Sequence, residues 1–118
     1  MTAETEEPRF VALLDILAAD PELAPVVRAF VAANQAGKGR RFGSNGLKVN
    51  GKLFALIVRG RLVVKLPKAR VAALVTAKKG EPFETAPGRV MKEWLVLAER
   101  SRSWEAMARE AFAFVKGP

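Results

Sequence analysis

At 118 residues the chain is one domain by length, long enough to bury a hydrophobic core without disulfides or a structural metal. It contains no cysteine, no histidine and no tyrosine, which excludes thiolate metal sites, Cys nucleophiles and the side chain most used for proton transfer near neutral pH. Half the residues are apolar, and the net charge of +8 is unevenly placed: residues 1–37 hold six acids against two bases, residues 38–92 two acids against fourteen bases, and the remainder balances.

The opening "MTAETEEPRF" is a polar, acidic tail over residues 1–7, the reverse of a secretory signal. No apolar run approaches the roughly 20 residues that span a bilayer, so a cytoplasmic protein without membrane contact is expected. Phe10, Leu13, Leu14 and Leu17 then fall at i, i+3, i+4 and i+7, which predicts a helix over 8–19. Asp20-Pro21 reads as an N-cap followed by proline at the first helical position. Leu23, Val26, Val27, Phe30, Val31 and Asn34 carry a second helix that Gly37 and Gly39 end. Both stripes require an apolar surface to lie on.

Residues 46–67, "GLKVNGKLFALIVRGRLVVKLP", supply it. Asn50-Gly51 is a strong hairpin signal, because a type I′ turn needs positive φ at both central positions. Arg59-Gly60 is a weaker one, since arginine is a poor residue for positive φ. With two-residue turns, Val49 faces Lys52, Lys48 faces Leu53 and Leu47 faces Phe54; Val58 faces Arg61, Leu56 faces Val63 and Phe54 faces Lys65. Strict alternation then puts Leu53, Ala55, Ile57, Leu62, Val64 and Leu66 on a core face, with Lys48 at its margin. Leu47, Val49, Lys52, Phe54, Leu56, Val58, Arg61, Val63 and Lys65 fall on the other. A three-residue loop at 58–60 would instead carry Arg61 and Lys65 to the core face, where two cations would be buried.

Pro67 ends the third strand, and Val71, Leu74 and Val75 mark a short helix that stops near Gly80. "GEPFETAPG" reads as a loop, "RVMKEWLVL" as a fourth strand. A last helix, capped by Ser101 or Ser103, presents Trp104, Ala108, Ala111, Phe112 and Val115 on one side. The order is ααβββαβα in one domain spanning 1–118. Strands adjacent in sequence imply an antiparallel meander flanked by helices, an α+β fold.

The segments "RFGSNGLKVNGKLFALIVRGRLVVKLP", "RVAALV", "GEPFE" and "GRVMKEWLVL" resemble the N-terminal domain family of the competence regulator TfoX, also called Sxy. The likeness covers about residues 40–97, with landmarks at Phe42-Gly43, Gly51-Lys52, Phe54-Ala55, Gly80 to Phe83 and Lys92-Glu93-Trp94. It implies a small antiparallel sheet flanked by helices, similar to the YjbR/MmcQ proteins, for which DNA binding through wing-like hairpins has been proposed. None of the landmarks is a catalytic signature. A full TfoX-like regulator carries a second, helical C-terminal domain, whereas this chain ends one helix beyond the sheet, so the regulator's role is not carried over.

Three functions are open to such a sequence. A nucleic-acid-binding or regulatory module would use the basic block to neutralise phosphates of DNA or another polyanion: Lys52, Arg59, Arg61, Lys65, Lys68, Arg70, Lys78 and Lys79, with Phe54 as a base-stacking residue among the cations. The alternative for Phe54 is a core position under a helix, with the cations at its rim. A protein-interaction or structural module, in homodimer form or with another partner, would use the second sheet face, with Trp94 and Trp104 as anchors, although strand and helix spacing places each of the two in the core. An enzyme would have to rest on Glu, Lys or Ser, and Lys92-Glu93 point to opposite faces of a strand; catalytic, cofactor and metal residues are accordingly expected to be none. Gly43 to Gly46 lacks the lysine and following helix of a phosphate-binding loop.

Overall fold

A computed structural model describes residues 8–36, 46–98 and 103–117. Two helices, α1 (Pro8–Ala18) and α2 (Ala24–Ala36), lead into strands β1 (Gly46–Val49), β2 (Lys52–Val58) and β3 (Arg61–Lys65). Helix α3 (Lys68–Thr76), strands β4 (Gly80–Ala86) and β5 (Arg89–Leu97), and helix α4 (Trp104–Lys116) follow. The five strands form one antiparallel sheet in the order β1-β2-β3-β5-β4. The fold is α+β as expected, with the segment read as a loop at 80–88 forming a strand and its turn instead.

Between α1 and α2, Asp20 acts as the sequence suggests: its carboxylate accepts the Glu22 N–H at 2.9 Å, and its carbonyl accepts from Leu23 and Ala24. The helix proper begins later, at Ala24, so residues 21–23 form a turn and Pro25 sits within the first helical turn, where no bond is lost. Both hairpin turns of the ribbon have two residues. Asn50 and Gly51 have φ of 54° and 77°, Arg59 and Gly60 52° and 78°, so arginine does adopt the left-handed conformation here. Val58↔Arg61 and Leu56↔Val63 pair as expected, as do Val49↔Lys52 and Lys48↔Leu53.

Leu47 departs from the expected register. It pairs with Ala55, while Lys48 pairs with Leu53, which leaves Phe54 as the extra residue of a β-bulge. The bulge reverses the alternation along the start of β2. Leu47 and Phe54 therefore join Ala55, Ile57, Leu62, Val64, Leu66, Leu95 and Leu97 in the core, rather than lying on the second face. Leu53 moves the other way and becomes half-buried; a Cβ added at Gly46 would collide with its Cδ2.

The helices supply the other half of this core. α2 lies against β1, α4 across β2 and β3, and α3 against β5, with α1 on α2 and α4. Phe10 meets Phe30 edge-on at 5.6 Å and Phe54 meets Phe112 at 5.5 Å. The predicted stripe of the last helix is the buried one: Trp104, Ala108, Ala111 and Phe112. Ion pairs fasten the layer at its surface. Arg109 of α4 holds Asp20 and Glu105, Lys116 holds Glu22, and Arg70 of α3 takes Glu110 in a two-pronged bond at 2.7 and 3.1 Å. Asp20 and Glu22 thus meet α4, not the basic ribbon.

Candidate nucleic-acid interface

Residues paired across strands share a face, so the register assigns the second side of the sheet. Arg61, Val63 and Lys65 alternate with the core residues Leu62 and Val64 on β3. Val63↔Val96 and Lys65↔Trp94 carry the same face onto β5, Glu81↔Val96 onto β4, and Leu56↔Val63 and Val58↔Arg61 onto β2. Among the described residues no helix packs here. Val63 is fully buried, yet stands outside the helix-packed core, covered by its half-buried neighbours Leu56 and Val96. Whether a helix covers the second face is thereby answered for these residues: it does not.

Of the eight basic residues singled out from the sequence, Arg70 lies within α3 and the other seven divide between two ends of the sheet. Lys52 opens β2, Lys65 closes β3 and Lys68 opens α3, all at one end, where Lys92 also stands two residues beyond the Lys65↔Trp94 pair. Arg59, Arg61, Lys78 and Lys79 gather at the other, because β4 begins at Gly80↔Leu97 and the Leu97 carbonyl accepts the Arg61 Nε–H at 3.1 Å. At about 3.3 Å per residue, Arg61 and Lys65 are roughly 13 Å apart along β3. They alone of the eight lie on the helix-free face by register; Lys52 shares its side with Val49, which packs on the core.

Partners separate these cations further. Arg61 reaches Glu81 at 3.4 Å as well as the Leu97 carbonyl, so it helps to hold β4 and β5 together. Lys65 lies 3.9 Å from Glu93 and 5.8 Å from the centre of the Trp94 ring, within cation–π range. Arg70 is taken up by Glu110, whose hydrogen bond raises the guanidinium above its ordinary pKa. Lys52, Lys68 and Lys92 are exposed and form no ion pair among the described residues. Phe54 is corrected outright as a stacking residue: it is fully buried against Phe112, because the bulge turns it beneath α4.

Trp94 stands in the place for which Phe54 was the stacking candidate. It is half-buried on the helix-free face beside Lys65, whereas Trp104 is 3% exposed, with its indole N–H donating to the Ala98 carbonyl and Arg9 over its ring at 3.9 Å. Phe83 is also half-buried and, with Val58, Arg61, Val63 and Val96, lines a hollow of about 230 Å³ whose acidic corner is Glu81 and Glu84. The strand pattern "RVMKEWLVL" carried the signal for Trp94, since it alternates with the core residues Leu95 and Leu97.

No family model, curated protein or solved structure matches the chain. Among the described residues no group of three or more Asp or Glu is placed to hold a metal ion, and no helix is long and apolar enough to cross a membrane. A second surface feature is an apolar groove of about 350 Å³ between α3 and the β4–β5 hairpin, lined by Val71, Val75, Pro82, Val90 and Met91, with Lys68 and Lys92 at its mouth.

Proposed function

We propose that the protein is a small, non-enzymatic nucleic-acid-binding domain of the cytoplasm, related to the N-terminal domain of the TfoX regulators and to the YjbR-like proteins. The observation that carries this reading is the helix-free sheet face with Arg61 and Lys65 on it, bordered by the unpaired lysines Lys52, Lys68 and Lys92. Phosphates need several cations within reach of one backbone, and this end of the sheet supplies them. The absence of histidine and cysteine from the whole sequence also favours a binding role over catalysis.

The test is fluorescence anisotropy with labelled oligonucleotides, single- and double-stranded, between about 50 and about 300 mM salt. Binding in the micromolar range or tighter at low salt, weakening steeply as salt rises, is expected; no binding of either form at the low end overturns the reading. Charge reversal at Lys52 and Lys68 should remove most of the signal while the unfolding midpoint stays where it was.

A second reading, self-association through the same face, is favoured by its apolar centre of Leu56, Val63 and Val96. It predicts a dimer by light scattering after gel filtration, and a monomer at all concentrations removes it.

A further inference from the structure

We infer that the helix-free face is a stacking platform for unpaired bases, centred on Trp94, so that the nucleic acid bound is a single strand in preference to a duplex. This rests on the nucleic-acid reading above and sharpens it. A large indole on a face that no described helix covers is not accounted for by core packing. The buried partner in the pair of tryptophans, Trp104, has its N–H satisfied and its ring under a guanidinium.

Trp94 sits otherwise: its strand neighbour across the ladder is Lys65, whose ammonium is 5.8 Å from the ring centre. An aromatic plane flanked by a cation is the arrangement that holds a base by stacking and its phosphate by charge. Lys48, paired with Leu53, falls on this same face, and Lys92 and Lys68 border it at the Trp94 end. The described acids on or beside this face are Glu81 and Glu84 at the far hollow, and Glu93, 3.9 Å from Lys65. The path for phosphates therefore runs along the end of the sheet that carries Lys65 and Lys92, with Lys52 and Lys68 at its border, away from the Glu81 corner.

The shape of the face argues against a duplex. Its centre is apolar, formed by Leu56, Val63 and Val96, and it is the pleated side of a sheet rather than a projecting helix. A duplex would set charged backbone against that centre and keep its bases inside the stack, out of reach of Trp94. A single strand brings the apolar faces of its bases to the same surface, and any base suffices because each has a π face.

Titration of the intact protein with oligothymidylate of about 15 nucleotides, and in parallel with a hairpin duplex, reads the tryptophan emission and the affinity together. The single strand should quench the emission and bind tighter than the duplex. Trp94→Leu should weaken single-strand binding roughly 5- to 150-fold, the equivalent of one lost stacking contact, and leave duplex binding within about twofold. Trp94→Phe, which keeps a ring, should recover most of the loss. Equal affinity for both forms with unchanged emission overturns the inference while the nucleic-acid reading stands; failure of both forms to bind at low salt removes the two together. Loss of a dimer in Trp94→Leu would show that a second copy, not a base, meets the indole. The emission and the preference are read on the unaltered protein, so they decide the matter even where a variant does not fold.

Discussion

Lys78 has a φ of 62°, one of three non-glycine residues in the left-handed region among the described residues. Its N–H donates to the Val75 carbonyl and that of Lys79 to Leu74, which is the six-to-one and five-to-two pattern that closes a helix. The position after such a helix end is normally glycine, because a Cβ there meets the following carbonyl. Lysine accepts this cost where α3 must turn sharply into β4. Lys78→Gly should therefore raise the unfolding free energy by about 0.5–1 kcal/mol, a shift of a few degrees in Tm. Lys78→Ala removes the same charge while keeping the Cβ and should not stabilise. Urea denaturation of the two variants separates backbone strain from charge, and equal stabilisation in both would assign the effect to charge.

The helical layer is tied to the turn between α1 and α2 by Asp20. Its carboxyl is held below its ordinary value of 3.8, first by the Glu22 backbone N–H and then by Arg109. The folded form thus takes up this proton less readily than the unfolded chain. The corresponding stability is present above pH 3.8 and is lost as pH falls through the lowered folded value. Asp20→Asn keeps an acceptor for the Glu22 N–H but not the charge facing Arg109. Its Tm should lie below that of the parent at neutral pH, and the gap should close as the pH drops below the carboxylate range. A gap that persists in acid would show that turn geometry, not charge, holds this element. At this scale the sequence was legible where local chemistry is self-contained. Helical stripes, the two glycine turns and the strand at 89–97 all announce themselves through spacing. Two features did not. A bulge is a mismatch between strands, and nothing in "KLFAL" marks Phe54 as the residue that β1 skips; Phe54 and Leu47 were placed on the wrong face for that reason. The other is β4, whose Gly80 and Pro82, together with Pro87 and Gly88 of the turn that follows, read as a loop. An edge strand needs no donor on its outer side, so it tolerates Pro82. The β5 strand meets Gly80 so closely that an added Cβ would lie 2.7 Å from the Val96 carbonyl. Trp94 was in view as an aromatic but not as one left without a helix over it, since that depends on all the described helices packing on the opposite face.

Across the whole molecule the charge is sorted by these pairings. Asp20, Glu22, Glu105 and Glu110 are consumed by Arg109, Lys116 and Arg70 within the helical layer, which leaves the middle of the chain with most of the unbalanced positive charge. If binding runs along the end of the sheet bearing Lys52, Lys65, Lys68 and Lys92, about four phosphates are neutralised. The logarithm of affinity for a single strand should then fall against the logarithm of salt with a slope of roughly −3. Replacing Lys52 and Lys68 by serine should reduce that slope in magnitude by about 1.4, since each contact contributes about 0.7 for a single strand. Replacing Lys78 and Lys79, at the opposite end, should leave it unchanged, as should Lys116→Ser, whose charge is already matched by Glu22. The slope is more informative than the affinity here, because a variant that merely loosens the fold weakens binding at every salt concentration without altering how many counterions are released. A reduction in slope from Lys78 and Lys79, with none from Lys52 and Lys68, would move the phosphate path to the Arg59 end and detach it from Trp94.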